Sequence, residues 1–247
     1  MSLAAISTGR IPSVDPATGE TRAWVEATAP EQIASIVARS RVAQVAWAHR
    51  TLSERCGLLN ELRKQMFVAR CALADSVVRE SGKPRAEALF SDIFVSLDTA
   101  GYLAANAERM LAPERVPHHN IAAKAKSGEL RYEPLGVIGI ISSWNYPLAI
   151  PLGQIIPAVV AGNSVVCKTS DFTPQCGALI EKLFVDAGFP KGLVTVIQGG
   201  AEVGRALIEA APTKFSSLAA LKPGVGLPKP ARRDSSQQCS SSAARTR

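Results

Sequence analysis

Val137-Ile-Gly-Ile-Ile-Ser142 is a short run of apolar and small residues without polar alternation, set between Glu133-Pro134 and the turn-forming Ser143-Trp-Asn-Tyr-Pro147. A run of that length, apolar on both faces, suits a strand buried in a parallel sheet. Outward from it the texture repeats. Ile150–Ala161 is helix-like, Gly162-Asn163 interrupts it, and Ser164-Val-Val-Cys-Lys168 is a second run. Thr173-Pro174 opens another helix, which closes at Ala187-Gly188 with Pro190 beyond, proline at the start and glycine at the end. Leu193-Val-Thr-Val-Ile197 is a third strand. Strand–helix–strand–helix–strand with short joints predicts the α/β class: an incomplete Rossmann-like parallel sheet with helices on both faces. Ligands of such sheets sit beyond the carboxyl ends of the strands, here Ser143–Asn145, Lys168–Asp171 and Gln198–Gly204.

The residues ahead of the first run read as helix-rich. Residues 11–27 suit a hairpin with Pro16-Ala-Thr-Gly19 as its turn. Thr28-Ala-Pro-Glu31 has the form of a capping box and opens an amphipathic helix through Ile33, Ile36, Val37, Val42 and Val45. Thr51-Leu-Ser-Glu54 repeats the device before a helix from Leu58 to Ser81, stopped by Gly82-Lys-Pro84. A third helical stretch runs from about Arg85 to Leu111, and no internal repeat is visible. The expected organisation is a hairpin and helices over 1–111, a connecting segment over 112–135, a βαβ core over 136–212 and a disordered tail over 213–247.

The formal charge of +7 suggests a nucleic-acid partner until it is located. Residues 213–247 hold seven basic residues and one acid, Asp234, so the body is nearly neutral. The tail lacks aromatic residues other than Phe215 and any docking fold, so no nucleic-acid partner is expected. The cysteines Cys56, Cys71, Cys167, Cys176 and Cys239 are scattered without a CxxC pair, which argues against a disulfide framework or zinc site and for a reducing, cytoplasmic setting. His118-His119 reads as a solvated pair without a third metal ligand. Val137–Val160, the most apolar stretch, is broken by Asn145, Pro147, Pro151, Gln154 and Pro157, so no membrane span is expected there.

Glu133-Pro-Leu-Gly-Val-Ile-Gly-Ile-Ile-Ser-Ser-Trp-Asn-Tyr-Pro-Leu148 resembles the EPxGVxGxIxPWNxPL segment of the aldehyde dehydrogenase superfamily. The resemblance continues in the family's order through Pro157–Lys168, Thr173-Pro174, Ala187–Pro190 and Val194–Gly199. It implies oxidation of a small-molecule aldehyde to a carboxylic acid with NAD, or NADP, as hydride acceptor. It implies that Asn145 donates its side-chain amide to the developing oxyanion. Lys168 would hold the adenosine ribose hydroxyls, and Asp171 stands where the family often has a glutamate on the same ribose, which favours NAD. Ile141, Ser142, Ser143 and Trp144 would line the cofactor, Ser170 lies in the same segment, and Gly200 and Gly204 would sit near the adenine and pyrophosphate. Ser143 replaces the family's proline, and losing a fixed φ is expected to loosen Asn145. Without the resemblance, Asn145 reads as a turn residue, Lys168 as a solvated strand end and Asp171 as a helix cap. Cys167, inside a strand, reads as a small hydrophobe and not the nucleophile.

After Thr213-Lys-Phe215 the family continues with a Phe-Thr-Gly-Ser turn and a Leu-Glu-Leu-Gly-Gly-Lys strand bearing the general base; neither is present. Read in the neighbouring phase, codons for Phe215–Val225 can encode Phe-Phe-Thr-Gly-Ser-Val-Lys-Thr-Gly-Arg. The same phase over Arg233–Thr246 permits Arg-Leu-Ile-Pro-Ala-Val-Leu-Glu-Leu-Gly-Gly-Lys-Asp. A frameshift at about Phe215 is therefore expected, leaving a chain without its glutamate base and cysteine nucleophile and hence inactive as written. The competing reading is a non-catalytic nucleotide-binding fragment that interacts with full-length subunits. The resemblance implies a homo-oligomer, an implication weakened by the altered tail.

Overall fold

The computed structural model of the chain describes residues 9–117 and 126–217. His118, His119, Cys239 and the tail beyond 217 lie outside the described residues. The chain opens with β1 (Arg10–Val14) and β2 (Thr21–Glu26), an antiparallel hairpin as expected from its turn. Thr28, however, makes no capping box. Its backbone N–H donates to Gln198 O and its hydroxyl accepts from Gln198 N–H, so the residue ties the hairpin exit to the end of a distant strand. A turn of 3-10 helix (Pro30–Gln32) then leads into α1 (Ile33–Ala48) without a side-chain cap.

The buried face of α1 is Ile33, Ile36, Val37, Ser40, Gln44 and Trp47, while Val42 and Val45 face outward, against expectation. Two of these residues win their place by hydrogen bonding, Trp47 Nε1 donating to Val159 O at 2.7 Å and Gln44 Nε2 to Gly162 O at 3.0 Å, whereas the buried Ser40 hydroxyl has no partner among the described residues. Hydrophobicity alone could not see those partners. α2 (Leu52–Ser81) starts at its cap, ahead of the Leu58 expected, because Thr51 and Glu54 form both bonds of the capping box. Gly82 ends it in the left-handed region at φ 72°. α3 (Arg85–Glu87), a π-helical stretch (Ala88–Phe94) and α4 (Val95–Met110) form one continuous helix. By length and composition that helix could cross a membrane; here its Ala88, Ile93, Ala100 and Ala107 belong to the protein core.

β3 (Glu114–Val116) and β4 (Gly128–Leu130) make a small antiparallel ribbon within the connecting segment. The core sheet follows: β5 (Val137–Ile141), α5 (Ala149–Val160), β6 (Ser164–Lys168), α6 (Pro174–Asp186), β7 (Val194–Ile197), α7 (Ala201–Glu209) and β8 (Lys214–Ser217). All its strands run parallel in the order β7-β6-β5-β8. Ile138, Ile140, Val165, Cys167 and Val194 face a core shared with α2, α4, α5 and α6, and Val137, Ile141, Val166 and Ile197 face α1 and α7. Burial on both faces is what erased polar alternation from the strands.

β8 corrects the boundary placed at 213. Its Ile138↔Lys214 to Ile141↔Ser217 register puts four residues of the expected tail into the sheet, Phe215 packs on the α1/α7 side, and Thr213 Oγ1 accepts from Val137 N–H. Parallel pairing uses backbone groups, so a strand flanking a preformed partner asks little of its side chains.

Candidate functional site

The carboxyl ends of β5, β6 and β7 are drawn together by backbone and side-chain bonds. Ser142 N–H donates to Lys168 O at 2.9 Å, holding the first two strand ends in step past the ladder. At the third, Gln198 Oε1 accepts from Thr169 Oγ1 at 3.2 Å and its Nε2 donates to Pro174 O at 3.0 Å. Trp144 and Phe172, both exposed, meet edge to face at 5.6 Å, so the loops after β5 and β6 touch.

Lys168 is the centre of this mouth. Its side chain is buried, the Nζ donates to Thr169 O at 3.0 Å, and its stem passes beside Ile141 and the bare Cα of Gly204. Burial holds its ammonium below the ordinary lysine range, while the carboxylates of Asp171 and Glu202 pull the other way. Gly200 is the N-cap of α7, and its N–H donates to Glu202 Oε1 at 3.0 Å. Ser170 is buried and its hydroxyl accepts from Phe172 N–H, shaping the turn. The Ser142 hydroxyl is buried without a hydrogen-bond partner.

Asn145 is exposed beside this cluster, and its Oδ1 accepts from Ser143 Oγ at 2.6 Å. That bond leaves the amide N–H groups free of partners among the described residues. The serine that replaces proline thus supplies a direct tether in place of a fixed φ. Cys167 lies in mid-strand with its thiol pushed up to about 12 by burial, which no nucleophile at neutral pH can be. Among the described residues no group of His, Cys, Asp and Glu could hold a metal ion.

The helices behind these loops are positioned by acids that the sequence reading passed over. Asp92 Oδ1 accepts from Leu148 and Ala149 N–H, each at 3.1 Å, capping α5; its Oδ2 accepts from Lys83 Nζ at 3.1 Å. The same ammonium lies 3.7 Å from the centroid of the Tyr146 ring, next to Asn145. Glu80 caps α6, accepting from Gln175 and Cys176 N–H at 2.9 Å each and from Ser13 Oγ at 2.6 Å. Two of the three helix N-termini at the mouth are therefore filled by buried carboxylates. The third, at α7, meets only the exposed Glu202. The available signal was a lone acid on an otherwise apolar helical face.

The profile of the aldehyde dehydrogenase family matches residues 4–219. A protein of Mycolicibacterium smegmatis named for NADP(+)-linked succinate-semialdehyde dehydrogenase is 35% identical over 193 residues, covering 78% of this chain and 37% of its own. Among solved structures, an aldehyde dehydrogenase from Brucella melitensis biovar abortus 2308 superposes with a TM-score of 0.79 at 26% identity, over 84% of this chain and 42% of that one. An NAD+ complex of a Bacillus cereus aldehyde dehydrogenase gives 0.75 at 31% identity, over 81% and 40%. The chain spans about two fifths of the length of the curated relatives it matches.

Proposed function

Because the chain belongs to the aldehyde dehydrogenase family, we propose that it forms the dinucleotide-binding part of an NAD(P)-dependent enzyme that oxidises an aldehyde to a carboxylic acid. The observation that carries this reading is the convergence of three strand-end loops on buried Lys168. The residues fit a dinucleotide. The orphaned Ser142 hydroxyl has bonds to offer, the Lys168 ammonium has a single carbonyl partner, and Gly204 sets a bare Cα against the lysine stem, where a Cβ would lie 3.4 Å from Lys168 Cδ. When bound, the nicotinamide accepts hydride from the aldehyde carbon. Lys168 donates to the ribose hydroxyls, Asp171 accepts from them, and Ile141, Ser142, Ser143 and Trp144 line the path between the strand ends. Gly200 and Gly204 admit close approach at α7. Asn145 donates Nδ2–H to the oxyanion, its carbonyl oxygen held by Ser143.

Replacing Lys168 with methionine separates binding from folding. The variant loses its charged donor, so affinity for NAD is expected to fall about tenfold or more. Its unfolding midpoint rises, because the buried ammonium is disfavoured in the folded state. The sign follows from the depressed folded pKa: the penalty is full below it, fades as pH climbs from it toward the ordinary value of 10.5, and is absent above 10.5, so the gain in midpoint present at pH 7 has vanished there. Calorimetric titration with NAD and thermal unfolding at both pH values check this; unchanged affinity would remove Lys168 from the site.

Residues beyond the family match, 220–247, carry neither the turn nor the base-bearing strand of the family, and one neighbouring phase permits both. We infer a frameshift at about Phe215. The 247-residue chain is then expected to give no detectable reduced cofactor from NAD and a panel of aldehydes. Sequencing the coding nucleotides decides it, since a neighbouring frame without those motifs refutes the inference.

A further inference from the structure

Away from the Lys168 mouth, toward the amino end of β7, a cleft of about 210 Å³ opens beside the strand. α6 supplies Glu181, Phe184 and Val185 to it, and Phe189, Pro190 and Val194 close it. Its floor is pinned: the Phe184 and Phe189 rings are buried and meet edge to face at 5.0 Å, and Phe189 lies 5.5 Å from Trp47. β7 pairs with β6 on one side and with no strand on the other among the described residues, so this edge of the sheet is open. Glu181 Oε2 accepts from Val196 N–H at 3.0 Å, which leaves Oε1 without a partner among the described residues. No cation among them lies within ion-pairing distance of Glu181, and Lys191, at the rim, is exposed. The more deeply buried acids are matched: Asp92 by Lys83 and two helix-start N–H groups, Glu80 by two N–H groups and the Ser13 hydroxyl. Burial holds the half-buried Glu181 carboxyl above the usual range, against the pull of Val196 N–H.

We propose that this cleft binds a small ammonium carried on an apolar body, the cation on Glu181 and the body against Phe184, Phe189 and Val194. Charge selects the occupant. An ammonium gives the unpaired oxygen a charge-assisted hydrogen bond and recovers part of what burial of the carboxylate costs. An anion is repelled, and a neutral body of the same shape leaves the carboxylate as it was. A hydrated inorganic cation gains nothing from the apolar walls. The volume falls below the ~300–1,000 Å³ of pockets that take drug-sized molecules, so the occupant is a single ring or a short chain. The cleft shares no residue with the Lys168 mouth, and the dinucleotide plays no part in it.

The test is titration of the 247-residue chain with benzylammonium chloride and, as its neutral counterpart, benzyl alcohol, followed by amide NMR. Shifts are expected at Gly192 and Val196, which border the cleft. Benzylammonium is expected to bind about tenfold more tightly than benzyl alcohol. Glu181→Gln keeps an oxygen for Val196 N–H and removes the charge, so it is expected to abolish that advantage at an unfolding midpoint matching the parent's. Val185→Lys, at a rim position 51% exposed, sets a competing cation beside Glu181 and is expected to weaken benzylammonium by about threefold to tenfold without disturbing the floor. Equal binding of the two probes reveals an unselective apolar cleft and overturns the proposal. An unchanged preference in Glu181→Gln overturns it too, as do shifts confined to residues elsewhere or no binding by the parent at millimolar probe. Should Glu181→Gln unfold, Val185→Lys still decides, since an affinity equal to the parent's there refutes the role of the charge.

Discussion

Asp92→Ala is expected to destabilise the chain by about 3–5 kcal/mol, the cost of breaking a buried ion pair from one side. The Asp92 side chain is fully buried, and removing it strands three donors at once: Leu148 N–H, Ala149 N–H and the Lys83 ammonium, itself only 13% exposed. The Asp92 side chain is at 0% exposure, so bulk water has little access to the two helix-start N–H groups and their lost partner counts nearly in full. For a fold of this size the unfolding midpoint drops by about 10 °C. Asp92→Asn should sit between parent and alanine, because its carbonyl still accepts from the helix start while its amide now faces Lys83. The variant also releases Tyr146, and with it the Ser143–Pro147 loop, from the ammonium that lies under its ring. Thermal unfolding followed by circular dichroism, with Trp144 fluorescence for the loop, reads both effects. A midpoint within about 2 °C of the parent would show that α5 does not depend on this acid.

Gly177→Ala should be nearly as damaging, although it adds one methyl group to a helix and alanine is the better helix former. A Cβ at 177 falls inside van der Waals contact of Thr169 Oγ1 and Gln198 Nε2. Those side chains are buried and bonded to each other and to Pro174 O, so neither can swing away without orphaning a polar group. The expected cost is about 3 kcal/mol from overpacking. The damage is also placed where it matters: Thr169 follows Lys168 and Gln198 precedes Gly199, so NAD affinity falls in step with stability. Gly153→Ala is the control. It lies on α5 with nothing within 4 Å of its added Cβ, and it should be neutral or stabilising by up to about 1 kcal/mol. Equal behaviour of the two variants in denaturant unfolding would defeat the packing argument.

The correspondence between residues and structure is uneven in an instructive way. β6 falls where its run of Ser164–Lys168 put it, and β5, β7, α5 and α6 are shifted by a residue or so at their ends. These elements announce themselves because a buried strand must be continuously apolar and a helix end needs a cap or a stop within a few residues. Thr51 and Glu54 show the same economy, two residues specifying the start of a thirty-residue helix. Thr28 looks identical by spacing, yet its hydroxyl is claimed by Gln198, which lies 170 positions away. Val42 and Val45 have the right periodicity for the core, and lose the inner face to Gln44 and Trp47 because carbonyls of α5 and its exit loop happen to lie opposite. β8 escaped notice inside a segment whose average composition is that of a tail.

Taken alone, the order of residues determined the α/β class, the parallel sheet and the loops that carry Asn145, Lys168 and Asp171, since each depends on patterns shorter than one element. Only the tertiary structure decided that Glu80 and Asp92 close two helix starts, and that Gly177 has no room to grow. Charge and close packing act over a few ångströms. The chain must bring Glu80 to Cys176, 96 residues apart, before such forces have anything to act on.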